Sequence, residues 1–176
     1  LDLTEQQDRL GRVTRHFYDG YGRRTATRDP AGRTVSLVWC ACDRVEALVD
    51  AKGQRTRWEY DAANRVTREV RADTVTDTVY TYDGRGRLAT VTDPLDQVTT
   101  YTYHLDDSLA STAFTNETIA TADISHTYDP YYPRPVTMVD GNGTTTYTYK
   151  AVGTLGAGQL ASVDGPLAND TVTYTY

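Results

Sequence analysis

Two cysteines, three histidines, five serines and a dense scatter of aspartates are the residues of this 176-residue chain that could do chemistry. Cys40 and Cys42 are separated by one residue, which leaves three states open: free thiols, a local disulfide, or part of a metal site. A four-ligand zinc site needs a second pair, which the sequence lacks. A Cys-x-Cys bridge closes a tight ring. Free thiols are the expectation, and export would favour the disulfide. His16, His104 and His126 share no spacing that suggests one site, and are expected at the surface or half-buried. The serines stand in no nucleophile-elbow sequence. Most aspartates sit in turn sequences, where capping of the backbone already accounts for them, so paired-carboxylate catalysis is not expected. Asp140-Gly141-Asn142-Gly143 has the start of a calcium loop without its later ligands or its Glu. The residues therefore imply no catalytic group, no cofactor and no metal.

Composition narrows the class. Leu, Ile, Val and Phe make up about 18% of the chain, whereas Thr alone numbers 30 and Tyr 14. So few aliphatics would usually signal disorder, but Thr and Tyr are good strand formers and here they alternate. The net charge of −6 argues against nucleic acid as a partner. Residues 1–71 carry 14 Lys+Arg against 11 Asp+Glu, and residues 72–176 carry 4 against 13. This polarity reads as a solvated surface, or as an aid to end-to-end packing. No apolar run reaches transmembrane length and no signal peptide is legible. The chain opens on Leu1 rather than Met and stops on Tyr174-Thr175-Tyr176, so it is expected to be a piece of a longer polypeptide.

The elements that must position these residues repeat. Tyr18, Trp39, Tyr60, Tyr82, Tyr103, Tyr128, Tyr149 and Tyr176 lie 21, 21, 22, 21, 25, 21 and 27 residues apart. A near-fixed step means one unit copied in tandem. The unit from Asp50 to Asp73 shows two turns and two short strands. One turn reads Asp-x-x-Gly, as in Asp29-Pro30-Ala31-Gly32. The other reads Tyr-Asp-x-x-Gly-Arg: Tyr18, Asp19, Gly22 and Arg23; Tyr82, Asp83, Gly86 and Arg87. In Tyr60, Asp61, Asn64 and Arg65 the glycine becomes Asn. In Trp39-Cys40-Ala41-Cys42-Asp43-Arg44 it becomes Asp, with Trp39 for Tyr and Cys40 for the turn aspartate. Asp107 fills the slot after Tyr103. Gly, Asn and Asp are the residues that tolerate positive φ, so the slot requires it. Tyr101-Thr102-Tyr103 and Tyr147-Thr148-Tyr149 place Tyr on one face and Thr on the other. Stacked across repeats, these tyrosines are expected to form aromatic ladders.

These motifs resemble those of the YD-repeat (RHS-repeat) family over essentially the whole chain. Tyr128-Asp129 and Tyr149 belong to less regular copies, since residues 105–135 and 150–162 carry insertions. The resemblance implies an all-β fold: a repetitive antiparallel β-hairpin meander of about eight 21-residue repeats, forming one curved or coiled single-layer sheet. It also implies a large secreted or cell-surface parent protein, as in polymorphic toxins, toxin-complex subunits and teneurins. In bacterial members such a shell encloses a C-terminal toxin. The self-cleaving aspartates of some members lie in a segment this chain does not match, so no catalytic role is carried over.

The implied function is structural and non-enzymatic, with the rest of the parent polypeptide as partner. The alternative is an adhesive surface on which exposed tyrosines stack against glycan. Cutting a continuous sheet leaves unpaired edges, so self-association is expected through Thr171–Tyr176 or the first strand near Val13–Tyr18.

Overall fold

β-branched and aromatic residues alternate with polar ones between turn formers, and the chain answers with strands. The computed structural model describes residues 3–72 and 77–176. The end of the repeat at Asp73 lies outside the described residues. Sixteen strands are described, and they stand in the sheet in chain order. No helix is long and apolar enough to cross a membrane.

The described residues fall into two compact units. The first, residues 1–81 with 93–95, carries β1 (Glu5–Gln7), β2 (Val13–Tyr18), β3 (Arg24–Arg28), β4 (Thr34–Trp39), β5 (Val45–Val49), β6 (Arg55–Tyr60), β7 (Val66–Val70) and most of β8 (Thr78–Tyr82). The second, residues 82–92 with 96–176, carries β9 (Leu88–Thr92), β10 (Val98–Tyr103), β11 (Leu109–Thr115), β12 (Ile124–Tyr128), β13 (Pro135–Asp140), β14 (Gly143–Tyr149), β15 (Leu160–Asp164) and β16 (Val172–Thr173). Within each unit consecutive strands pair antiparallel, as β2 with β3, β6 with β7, β10 with β11 and β14 with β15.

Neither unit has a conventional core. Among the described residues only Ala47 is fully buried, and Thr112 nearly so. Tyr101, Tyr103, Tyr147 and Tyr149 are half-buried, while the intervening Thr102 and Thr148 are exposed. On the exposed row the hydroxyls pair across strands: Thr102 with Ser111 at 2.6 Å, Thr127 with Thr137 at 2.6 Å, Thr148 with Ser162 at 2.7 Å.

The two turn sequences fold into one backbone geometry. In each, the first residue donates its N–H to the carbonyl four residues on, and the fourth residue donates to the carbonyl of the first. Asp29 with Arg33 and Gly32 (both 2.9 Å) matches Asp61 with Arg65 (2.9 Å) and Asn64 (3.0 Å). This is a three-residue hairpin loop ending in a left-handed residue. That residue is Gly22 (φ 76°), Gly32 (81°), Asp43 (60°), Asn64 (62°), Gly86 (85°) or Asp107 (69°).

What separates the two turn types is register. Where the loop follows the signature aromatic, the returning strand carries one extra residue. Tyr18 pairs with Arg24 while Phe17 pairs with Ala26, which leaves Thr25 as a bulge. Glu46, Thr67, Ala110, Val136 and Ala161 are bulged in the same way. The hairpins closed at Asp8, Asp29 and Asp50 run without a register shift.

Two expectations about edges change. The strand expected over Thr171–Tyr176 shortens to Val172–Thr173, because Tyr174 and Tyr176 turn to β15 by other bonds: Tyr174 N–H to Ala161 O at 2.9 Å and Tyr176 hydroxyl to Leu160 O at 3.0 Å. The first strand near Val13–Tyr18 is not an edge, because β1 pairs along it. The insertions fall outside the strands, at residues 116–123 and 150–159, the latter bent by Gly153, Gly156 and Gly158 at positive φ.

The left-handed slot gives a direct test. Asn64→Ala should lower thermal stability by about 1 kcal/mol, because alanine has no local hydrogen bond to offset the strain of φ > 0. Asn64→Gly should be neutral or mildly stabilising. Thermal unfolding followed by circular dichroism reads both.

Candidate functional site

The signature residues assemble, joint after joint, into one arrangement that links neighbouring repeats. It starts in the loop. Asp19 Oδ1 accepts the N–H of Tyr21 at 2.9 Å and of Arg23 at 3.0 Å, and Oδ2 accepts Arg23 Nε at 2.8 Å. Asp61 does the same with Ala63, Arg65 and Arg65 Nε, and Asp83 with Arg85, Arg87 and Arg87 Nε. Asp129 holds Arg134 through Nε at 3.0 Å and Nη2 at 2.7 Å, although its loop is one residue longer. The carboxylate therefore closes the turn and aims the guanidinium.

The aimed guanidinium meets the aromatic ring of the following repeat. Arg23 lies 5.3 Å from the Trp39 ring centre, Arg87 4.5 Å from Tyr103 and Arg134 4.1 Å from Tyr149. These are cation–π distances. Arg23 and Arg87 also reach the next turn's left-handed residue, pairing with Asp43 at 2.9 Å and Asp107 at 2.6 Å.

The ring's polar end then returns to the previous repeat. Tyr60 hydroxyl donates to Val45 O at 2.7 Å, Tyr103 to Leu88 O at 2.9 Å and Tyr149 to Pro135 O at 2.7 Å. Trp39 donates Nε1–H to Arg24 O at 2.9 Å. Arg24, Val45 and Pro135 are the residues at which the bulge interrupts the ladder. A bulge disturbs strand pairing, and buried carbonyls need partners. The signature aromatic supplies one.

Electrostatics follow the same contacts. Desolvation works to raise the Asp19 and Asp83 carboxyls. The Arg23 and Arg87 side chains, with two backbone N–H groups each, outweigh it and hold both below the ordinary value of 3.8. Asp61 is lowered chiefly by the Arg65 N–H and then by the Arg65 side chain. Arg23 and Arg87 rise, first through their hydrogen bonds to Asp19 and Asp83. Burial pushes the Tyr149 phenol up against the pull of Arg134. Near neutral pH these aspartates and arginines hold fixed charge and the phenol stays neutral. None is a poised acid or base.

Several expectations are revised. The signature aromatics Trp39, Tyr103 and Tyr149 do not stack directly on other signature rings: an arginine lies against each of them, because the loop aspartate aims it there. Ring–ring contact occurs at Tyr128, which meets His104 edge-on at 5.8 Å and His126 at 6.4 Å. His104 occupies the turn-aspartate position, and Ser108 stands where other turns have Arg, so an imidazole contact replaces the arginine stack. Sequence spacing did not bring those two histidines together. Cys40 and Cys42 are not free thiols: they form a disulfide, because the turn draws their Cα atoms to 5.1 Å. Asp140 caps a tight turn through the N–H of Asn142 and Gly143. Among the described residues no three His, Cys, Asp or Glu side chains gather as metal ligands.

Comparison with known proteins places this geometry. Solved structures of the TcdB2-TccC3 proteins share the fold. The TcdB2-TccC3 crystal structure matches at TM-score 0.67 and 18% identity over 86% of this chain, and its TEV variant at 0.71 and 19% over 91%. The Tc holotoxin pore of Photorhabdus luminescens matches at 0.70 and 18% over 86%. In each case this chain spans only 9% of the longer chain. No curated protein matches. The RHS Repeat family profile matches residues 2–34, 43–76 and 78–112, more than half of the chain. The protein belongs to the RHS-repeat family, and the segment is a structural repeat array.

Two measurements test the joint. Tyr60→Phe should cost about 1 kcal/mol, because it removes a part-buried hydrogen bond and leaves Val45 O without its donor. Hydrogen exchange should show the loss concentrated in β5–β7. The second is acid titration. The lowered aspartates contribute stability that is fully present above their unfolded value near 3.8 and is lost as pH falls through the depressed folded values. Denaturation midpoints should therefore be flat from neutral pH to about pH 5 and fall below it. In Asp61→Asn the starting stability should be lower and the acid-dependent loss smaller.

Proposed function

We propose that this chain is one structural segment of a much larger exported protein, and that its sheet forms part of a β shell enclosing or displaying another segment of the same polypeptide, a C-terminal toxin domain in the bacterial members. The observation that carries this reading is the use to which the signature residues are put. The arginine and the aromatic hydroxyl reach the neighbouring repeat and the loop aspartate aims the arginine, so the signature chemistry is directed along the array rather than toward a ligand. The fold shared with the TcdB2-TccC3 proteins and the small share of their length spanned here both support a segment of a longer shell. The partners are then the remaining repeats and the enclosed segment, and the location is that of a secreted toxin-complex protein.

Limited proteolysis of the full-length parent tests this. The C-terminal segment should persist under conditions that digest the same segment expressed alone. Equal digestion rates would remove the enclosure reading. Saturable glycan binding by the 176-residue chain, abolished by changing the exposed Tyr21 and Tyr131, would establish the adhesive reading in its place.

A further inference from the structure

One turn keeps the common backbone and changes the chemistry inside it. In Cys40–Arg44, Cys40 N–H donates to Arg44 O at 2.9 Å and Asp43 N–H to Cys40 O at 3.2 Å, as in the neighbouring turns. There, a carboxylate on the first residue receives the N–H groups two and four positions on, as Asp19 and Asp61 do. Here Cys40 Sγ takes the carboxylate's place, with Cys42 N at 3.1 Å and Arg44 N at 3.4 Å. Arg44 is the counterpart of Arg23 and Arg65, whose side chains pair with the turn aspartate. The turn is thus a cradle that elsewhere holds an anion, and a bridged sulfur is neutral. Reduction would supply the anion.

The bridge contributes little as a staple. It joins residues only two apart, and the constraint a disulfide places on the unfolded chain grows with the loop it closes. Backbone bonds already hold the turn. Access favours chemistry at one sulfur: Cys42 is exposed, while Cys40 is half-buried. A cavity lined by Tyr21, Arg23, Trp39, Cys40, Ala41 and Asp43 lies beside the bond. The ionisable groups around Cys40 are Tyr21, Arg23, Asp43 and Arg44. Arg23 is paired with Asp19 at 2.7 Å and with Asp43 at 2.9 Å, and Arg44 balances the second carboxylate, so the two N–H groups at Cys40 Sγ rather than a net charge would stabilise a thiolate there.

We propose that Cys40–Cys42 is a thiol–disulfide exchange site for small thiols and dithiols, with Cys42 the sulfur attacked and Cys40 the thiolate that leaves. An external thiolate attacks Cys42 Sγ and forms a new S–S bond there. The Cys40–Cys42 bond breaks, and its electron pair leaves on Cys40, where the two N–H groups receive it. A second thiolate, or the other arm of a dithiol, attacks the external sulfur of the mixed disulfide and releases Cys42, which takes a proton from water. Two external thiols are oxidised to one disulfide and the protein disulfide is reduced to a dithiol. A well-stabilised thiolate is the better leaving group, and an exposed sulfur the better target.

The test uses the reduced 176-residue chain and iodoacetamide. In Cys42→Ser, the alkylation rate of Cys40 should rise with a midpoint at least about one pH unit below the ordinary thiol value of ~8.5, and in Cys40→Ser the Cys42 midpoint should lie at or above it. Equal midpoints, or the reverse order, would overturn the proposal. The unmutated protein gives an independent reading. After reduction with dithiothreitol and a limiting pulse of label near neutral pH, fragment-ion mass spectrometry should find Cys40 labelled first despite its lower exposure. Label first on Cys42 overturns the assignment. The circular dichroism spectrum should be unchanged by reduction, and its collapse would make the bridge a structural staple instead.

Discussion

The hydrogen bond from the signature aromatics Trp39, Tyr60, Tyr149 and Tyr176 to the carbonyl beside a bulge is the contact on which this sheet depends. A single layer with water on both faces has no interior in which to bury apolar side chains, so neighbouring hairpins need another source of fixed alignment. The bulge creates the need by interrupting the ladder at the strand leaving the turn. The next repeat meets it with a phenol or an indole, whose apolar body covers the sheet while its polar tip reaches the carbonyl. Trp39 makes the bond through Nε1 and Tyr60 through its hydroxyl, at nearly the same distance. What the position requires is therefore an aromatic with a donor at its far end, rather than tyrosine as such.

The arginine has to be read with that bond. An exposed Asp–Arg pair stabilises little by itself, because water screens it and the side chains lose freedom. Here Asp19 and Asp83 do their main work on the loop backbone, and the guanidinium they hold is pre-aimed at the ring of the next repeat. Pre-aiming removes much of the entropy cost that makes surface ion pairs weak. One loop thus organises its own turn, the stacking cation and the strand that presents the acceptor carbonyl. Each repeat is incomplete without its neighbour, which is the nearest-neighbour behaviour of repeat proteins generally.

Much of this was legible in the sequence, and the limits of legibility have physical causes. The strands and turns could be read because period-two alternation and turn residues are local signals. The left-handed slot was readable as well, since Gly22, Asn64 and Asp43 share only a tolerance for positive φ. The tyrosine partners were not readable. A Tyr-Thr-Tyr pattern says that the rings share a face, but not that a cation separates them or that a hydroxyl bonds a carbonyl fifteen positions back, as Tyr60 does with Val45. That contact depends on the bulge, and a bulge of Thr25 or Glu46 leaves no compositional mark. The identical geometry of the two turns was hidden for a similar reason: their sequences differ in the residue before the aspartate, which lies outside the loop. The cysteine pair failed from the opposite direction. The turn around Cys40 and Cys42 was legible, but not how closely it brings them together, with Cα atoms 5.1 Å apart.

The irregular repeats show which parts of the design are constrained. The loop at Asp129 gains a residue and contains Pro130 and Pro133, yet Arg134 still pairs with Asp129 and stacks on Tyr149. The turn after Tyr149 grows into the stretch 150–159, yet Tyr176 still reaches Leu160 O, and Tyr149 still reaches Pro135 O. The sequence offsets of those bonds shift to accommodate the change, while the bonds persist. Loop closure costs rise slowly with length, on the order of 0.6 kcal/mol per doubling, so turns can drift. A lost aromatic–carbonyl bond would leave a disturbed ladder with no partner for its carbonyl. Where the arginine itself is gone, at Ser108, a histidine at the loop's first position meets the next ring instead. The joint is thus the constrained part of such an array, and the loops between joints tolerate other residues, as the one carrying Cys40 and Cys42 shows.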